Sequence, residues 1–334
     1  MSRIAVLGGG SWGTALSEVL ADNAHSVTVY ERKGEKVSAF NAHVTPDGLF
    51  ERVFPLNPSI RATSSLKEAF MDAEFLLLSV PSTAYRSVLN EALPYIVRPV
   101  SVISTGKGFD PTTHHLLNDT VKEILPQESC KGVTALTGPS FAEEVIAHGL
   151  TCVLAANENT EEAKKVQRLF SNPYFRVYTS SDPVGAQVAG ALKNVIALAS
   201  GMLCGLGYSE NAKAALLTRG EAEISRLGKA LGGKEETFLG LGGFGDLILT
   251  CSSFTSRNFT SGYEIGKADS ASEFLEHNTK TVEGIEASRL ACSLGKKYSV
   301  ELPITEAVYG VLFEGRAPSS IAKELMQREL KAEF

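Results

Sequence analysis

The chain has 334 residues, 43% hydrophobic and 21% charged, which is enough for two domains with ordinary globular cores. A net charge of -6 with no basic run argues against a general nucleic-acid role, because duplex binding rests on Lys and Arg neutralising phosphates. The five cysteines, Cys130, Cys152, Cys204, Cys251 and Cys292, lack C-x-x-C spacing, and most are expected as buried, reduced packing residues, not as a disulfide framework or a zinc site.

Met1-Ser2-Arg3 leads straight into an apolar strand, with no charged leader. No uninterrupted apolar stretch of about 18 residues follows, so a cytoplasmic protein without membrane insertion is expected. Short runs rich in Val, Ile, Leu and Phe at residues 4–8, 27–30, 75–80, 100–104, 133–137 and 152–155 alternate with helical stretches. This is the βαβ pattern of strands buried on both faces of a parallel sheet.

Gly8, Gly10 and Gly13 stand in G-x-G-x-x-G register between the first strand and a helix, the context that makes this motif a dinucleotide loop. Gly8 permits the tight turn, Gly10 lets the backbone approach the pyrophosphate, Gly13 lets the helix pack closely, and Ser11 and Trp12 face the cofactor. The second strand ends Tyr30-Glu31-Arg32-Lys33, offering an acid for a ribose 2'-hydroxyl and cations for a 2'-phosphate; NADP is expected to be accepted, with NAD left open. Lys107, in Ser104-Thr105-Gly106-Lys107-Gly108 at another strand end, could meet a phosphate or the substrate. Ser140 and Glu143 match an S-x-x-E capping box whose helix N-terminus, with Gly138 before it, would also suit an anion.

The pattern changes after residues 175–178, and helices separated by Gly-rich turns follow, placing a domain boundary near residue 182. The expectation is an α/β protein with a Rossmann-like domain at 1–182 and a mostly helical substrate domain at 183–334. Asp182-Pro183 supplies an N-cap and a first-turn proline. The helix it starts is apolar on nearly every face, which makes Lys193 and Asn194 conspicuous: the lysine either snorkels out or sits in a cleft with a partner, poised to move a proton. Asp246 closes a segment of four glycines and is expected to cap the next helix, with a carboxylate that could also accept from Lys193 or a substrate hydroxyl. Ser256-Arg257-Asn258 suits a phosphate or carboxylate, or an ordinary polar loop. Thr281-Val282-Glu283 offers an acceptor or a first-turn acid. In the tail, Ile321, Ala322, Leu325 and Met326 are expected on the apolar face of a surface helix spanning 318–330.

Residues 8–16 (Gly-Gly-Gly-Ser-Trp-Gly-Thr-Ala-Leu), 138–142 (Gly-Pro-Ser-Phe-Ala), 192–195 (Leu-Lys-Asn-Val), 245–247 (Gly-Asp-Leu) and 256–258 (Ser-Arg-Asn) together closely resemble the bacterial-type NAD(P)-dependent glycerol-3-phosphate dehydrogenase family along almost the whole chain. The resemblance implies a cytoplasmic enzyme, commonly dimeric, that interconverts dihydroxyacetone phosphate and sn-glycerol 3-phosphate for phospholipid synthesis. It implies cofactor contacts at Ser11, Trp12, Arg32, Lys107, Ala142, Arg257, Thr281 and Glu283. It places Lys107, Gly138, Ser140, Lys193, Asp246, Ser256, Arg257 and Asn258 around the substrate, with Lys193 as proton donor or acceptor and no metal required. A related two-domain hydroxy-acid dehydrogenase, with Arg257 gripping a carboxylate, and a non-catalytic nucleotide sensor are the alternative readings.

Overall fold

The computed structural model describes residues 1–279, 281–330 and 332–333. The chain divides into two compact units, Met1–Gln187 and Val188–Phe334. The first is built on an eight-stranded sheet: β1 (Arg3–Leu7), β2 (Ser26–Tyr30), β3 (Ile60–Thr63), β4 (Phe75–Leu78), β5 (Val100–Ser104), β6 (Cys130–Thr137), β7 (Thr151–Ala156) and β8 (Phe175–Ser180). The strand order is β3-β2-β1-β4-β5-β6-β7-β8. The chain therefore reverses its direction of growth between β1 and β4, the switch point at which open α/β sheets bind ligands.

The alternation along β1 explains its unbroken apolar run. Ile4 and Val6 join the core on one face of the sheet, and Ala5 and Leu7 join the core on the other. Each large side chain buried this way contributes roughly 1.5–3 kcal/mol, so both faces have to be apolar. Leu7 pairs in parallel with Tyr30 of β2 and with Leu78 of β4. That register brings Gly8, Glu31 and Ser79 to the same carboxyl edge.

Two strands depart from the expected pattern. β7 runs antiparallel to β6, pairing Ala135 with Ala156 and Thr137 with Leu154, because only the short helix Ala142–Ile146 lies between them. β3 was not expected; its burial alternates along Ile60-Arg61-Ala62-Thr63, as suits an edge strand, and it leaves no apolar run to read.

The second unit is helical. The Pro183–Gly205 helix begins as expected, with the Gly185 N–H donating to Asp182 Oδ1 at 2.8 Å. It is long and apolar enough to cross a membrane by length and composition, yet 83% of its most apolar window is buried inside the protein. It crosses the Arg257–Ala268 helix with backbones in contact: a Cβ on Gly201 would lie 2.0 Å from the Phe259 carbonyl oxygen, and one on Gly262 would lie 2.1 Å from that of Leu198. On the Glu210–Ala230 helix, Glu223 accepts from the Ile304 and Thr305 N–H groups and the Thr305 hydroxyl, pinning the start of the Pro303–Phe313 helix.

Three local expectations are corrected. The last helix ends at Met326, with Ile321 buried, Ala322 and Leu325 half-buried, and Met326 exposed, because its apolar stripe is one residue narrower than the spacing implied. Only Cys251 and Cys292 are buried, while Cys130, Cys152 and Cys204 are half-buried. Ser140 forms no capping box: the helix starts two residues later, with Phe141 in the cap position, and the Ser140 hydroxyl instead donates to the Gly138 carbonyl at 3.0 Å.

Candidate active site

In the first unit the glycine loop runs from β1 into the Ser11–Asp22 helix. Gly8 has φ 114°, and a Cβ there would lie 2.2 Å from the Ser79 carbonyl oxygen, so the turn and its contact with the β4 edge both require glycine. At Gly13 a Cβ would meet the Gly8 carbonyl oxygen at 2.0 Å, which fixes the close packing of helix on loop. A Cβ at Gly10 would point into open space, and the helix N-terminus takes no side-chain cap. Unfilled space facing uncapped N–H groups is what a pyrophosphate needs, so these residues fit a dinucleotide.

The other expected contacts sit on the same carboxyl edge or near it. The Ser11 hydroxyl donates to the Leu49 carbonyl at 2.7 Å, so what Ser11 offers a ligand is its backbone N–H and oxygen lone pairs. Trp12 is half-buried and packs partly on the core; Arg32 is exposed. Lys107 follows β5, where the preceding Gly106 N–H donates to the Tyr85 hydroxyl at 2.7 Å. Gly138 follows β6 with φ 144°, and Ala142 opens the short helix beyond it.

The second unit gathers the polar groups that sequence spacing could not place together. Lys193 is 3% exposed and Asp246 1%, and the two form a buried ion pair. Lys193 Nζ also donates to Thr250 Oγ1 at 2.8 Å, and Thr250 in turn donates to the Asp246 carbonyl at 2.6 Å. An ammonium taken out of water is costly unless it is paired and hydrogen-bonded, and here both conditions are met. Asp246 is not an N-cap as expected but the first residue of the Asp246–Ser252 helix, reached through a π-helical turn at Leu241–Gly245 that turns its carboxylate toward Lys193 instead of the helix N–H groups. Burial beside this pair raises the Cys251 thiol far above its ordinary value, so that sulfur is inert at neutral pH.

Asn194, the next residue, opens a second network. Its amide donates to Glu283 Oε2 at 3.1 Å, Asn258 Nδ2 donates to Asn194 Oδ1 at 3.0 Å, and the Gly284 N–H donates to Asn258 Oδ1 at 2.9 Å. Glu283 begins the Glu283–Tyr298 helix; Thr281 is exposed just before it. Ser256 accepts from the Phe259 N–H at 3.3 Å and so caps the Arg257–Ala268 helix. That places Arg257 on the first turn, exposed and lining a cleft with Phe254, Thr260 and Glu264.

Lys193 and Asp246 thus share one network with Thr250; Asn258 and Glu283 share another with Asn194, and Ser256 and Arg257 adjoin Asn258 at the start of its helix. Thr250 was missed. The signal was its place one helical turn after Asp246, which puts both on one face. Asn194 was noticed, but its tie to Glu283 spans 89 residues and leaves no mark in the sequence. Among the described residues, Glu18, Asp22 and His148 each bring one potential metal-ligand atom within 4.8 Å of the others. Tyr174 and Asn57 already hydrogen-bond to Asp22, at the far end of the Ser11–Asp22 helix from the glycine loop.

A sheet with its glycine loop at the switch point, followed by a helical unit holding a buried lysine–aspartate pair, defines the class of two-domain, dinucleotide-dependent dehydrogenases. Residues 3–163 match the N-terminal domain, and residues 182–323 the C-terminal domain, of the NAD-dependent glycerol-3-phosphate dehydrogenase family. The glycerol-3-phosphate dehydrogenase [NAD(P)+] of Exiguobacterium sp. is 46% identical over 334 residues, covering 100% of this chain and 98% of the relative. That of Enterococcus faecalis is 44% identical over 332 residues, covering 99% and 97%. The crystal structure of glycerol-3-phosphate dehydrogenase from Coxiella burnetii superposes with a TM-score of 0.90 at 32% identity, covering 98% of this chain and 99% of that one. The chain belongs to the NAD-dependent glycerol-3-phosphate dehydrogenase family.

Proposed function

We propose that this protein interconverts dihydroxyacetone phosphate and sn-glycerol 3-phosphate with NAD or NADP, supplying glycerol 3-phosphate for phospholipid synthesis. The observation that carries the reading is the buried Lys193, paired with Asp246 and hydrogen-bonded to Thr250. A buried amine held by two hydrogen-bonding partners is oriented, which is what an acid–base catalyst at a ketone oxygen requires.

When bound, the nicotinamide supplies or accepts the hydride. Lys193 Nζ donates a proton to the developing alkoxide in reduction and takes one from the alcohol in oxidation. Asp246 stabilises the charged state of the amine, and Thr250 fixes its direction. Arg257, exposed on a helix first turn, grips the substrate phosphate with Ser256 and the second N–H of Asn258; Lys107, Gly138 and Ser140 complete the substrate contacts. This remote grip aligns the carbonyl for transfer. The glycine loop with Ser11, Trp12, Arg32, Lys107, Ala142, Arg257, Thr281 and Glu283 holds the dinucleotide. Residues 1–182 serve the cofactor and 183–334 the substrate. The reaction moves one hydride and one proton and needs no metal. The protein works as a cytoplasmic homodimer.

The test is oxidation of NADH and NADPH with dihydroxyacetone phosphate, before and after Lys193→Ala. Turnover is expected to fall by roughly 100- to 10,000-fold in the variant, and full activity would overturn the mechanism. Faster turnover of unphosphorylated 2-keto acids than of dihydroxyacetone phosphate would reassign the substrate.

A further inference from the structure

The geometry points to Glu31 as the residue that chooses the cofactor: its carboxylate takes the adenosine ribose diol and makes the site prefer NAD(H) to NADP(H). This rests on the dinucleotide reading of the glycine loop and goes beyond it, because that loop contacts only what the two cofactors share.

Glu31 directly follows β2, and its backbone N–H donates to the Thr63 carbonyl of β3 at 3.0 Å, so its main chain is held by the sheet. The side chain does not swing out into solvent. It is 14% exposed, with Oε1 accepting the Lys33 N–H at 3.2 Å and Oε2 3.9 Å from Lys36 Nζ. It leans over the loop: a Cβ on Gly9 would lie 2.9 Å from Glu31 Oε2 and 3.1 Å from the Phe40 ring. This accounts for the middle glycine of Gly8-Gly9-Gly10, which the dinucleotide pattern does not require. At position 9 any side chain would displace the carboxylate.

The acid at the end of the second strand meets the ribose of a dinucleotide laid across the switch point. A fixed carboxylate there accepts from both hydroxyls of a diol and repels a phosphate placed on the 2'-oxygen. The neighbouring cations do not reverse this. Arg32 and Lys33 are exposed, where charge is screened by water and salt, and Lys36 is the cation nearest the carboxylate itself. Lys36, 23% exposed and 3.9 Å from Oε2, offsets part of the repulsion, but the diol that the carboxylate accepts from is offered whole only by NAD(H).

The experiment is a fluorescence titration of NADH and of NADPH in the absence of ketone, with the purified wild-type protein and Glu31→Gln. The wild-type protein is expected to bind NADH with a Kd at least roughly tenfold below that for NADPH. In Glu31→Gln the ratio is expected to collapse to within about threefold, because NADH loses an anionic acceptor and NADPH loses a repulsion. A ratio is insensitive to uniform loss of folded protein. Equal or tighter NADPH binding by the wild-type protein, or an unchanged ratio in the variant, overturns the assignment while leaving the dinucleotide reading intact. Binding of neither nucleotide removes that reading and this one with it.

Discussion

Glu221 lies on the Glu210–Ala230 helix, 7% exposed, with both carboxylate oxygens shielded from water and without a hydrogen-bond partner among the described residues. Burial pushes its pKa from 4.5 up to about 8. The folded state therefore holds a proton that the unfolded chain has released, and stability falls as pH rises from about 4.5 to about 8 and is flat above. At roughly 1.4 kcal/mol per pH unit, that window corresponds to an upper bound of about 5 kcal/mol, which local relaxation and water entry reduce to about 2–3 kcal/mol. Glu221→Gln keeps the shape and removes the ionisation. Urea unfolding of both proteins at pH 5, 7 and 9 gives the difference directly, with all other titrations common to the pair. The variant is expected to match the parent at pH 5 and to exceed it by about 2–3 kcal/mol at pH 9. A pH-independent difference, or a variant weaker at pH 9, would refute the reasoning by showing that the carboxylate has a stabilising partner.

Thr250→Val deprives the Lys193 ammonium of one acceptor; a loss of about 1–3 kcal/mol in unfolding free energy and a lower kcat are expected, and unchanged values in both would remove Thr250 from the mechanism. Gly13→Ala places a methyl where the Gly8 carbonyl oxygen stands, so NADH titration of the variant should show binding weakened by at least about tenfold, by the order of a kcal/mol or more that such overpacking costs. Gly262→Ala sets a methyl against the Leu198 backbone, and its melting temperature should drop by several degrees, roughly 2–4 °C per kcal/mol for a unit of this size. Exhaustive treatment with a metal chelator should leave turnover of dihydroxyacetone phosphate unchanged; lost activity restored by added zinc or magnesium would contradict a metal-free proton transfer.

What could be read from the sequence was whatever local chemistry dictates. The central strands announce themselves because residues such as Ile4, Ala5, Val6 and Leu7 must be apolar on both faces, and the glycine loop because its spacing falls between a strand and a helix, with Gly13 answering a local clash with the Gly8 carbonyl. The Asp182 cap depends on three residues and was equally legible. The failures share one cause. Ser140 and Glu143 have the right identities for a capping box, but the chain enters its helix one residue later, with Phe141 in the cap position. The antiparallel β7 depends on the length of an intervening helix, and the edge strand β3 on pairing with β2. Asp246 was expected to serve its own helix and instead serves Lys193, 53 positions earlier by number. Contacts across that separation carry no periodicity, and only the folded chain discloses them.

The glycine crossing between the Pro183–Gly205 and Arg257–Ala268 helices has a bearing on how enzymes of this build can diverge. One helix carries Lys193 and Asn194; the other begins at Arg257 and Asn258. Where side chains separate two helices, a lineage can widen or narrow the gap by exchanging a leucine for an alanine. Here main chain rests on main chain, so the spacing between the backbone that bears Lys193 and the one that bears Arg257 has no adjusting screw. Drift in sequence should then spare Gly201, Gly205, Gly262 and Gly266, where a Cβ would lie 2.0–2.3 Å from a backbone oxygen of the facing helix.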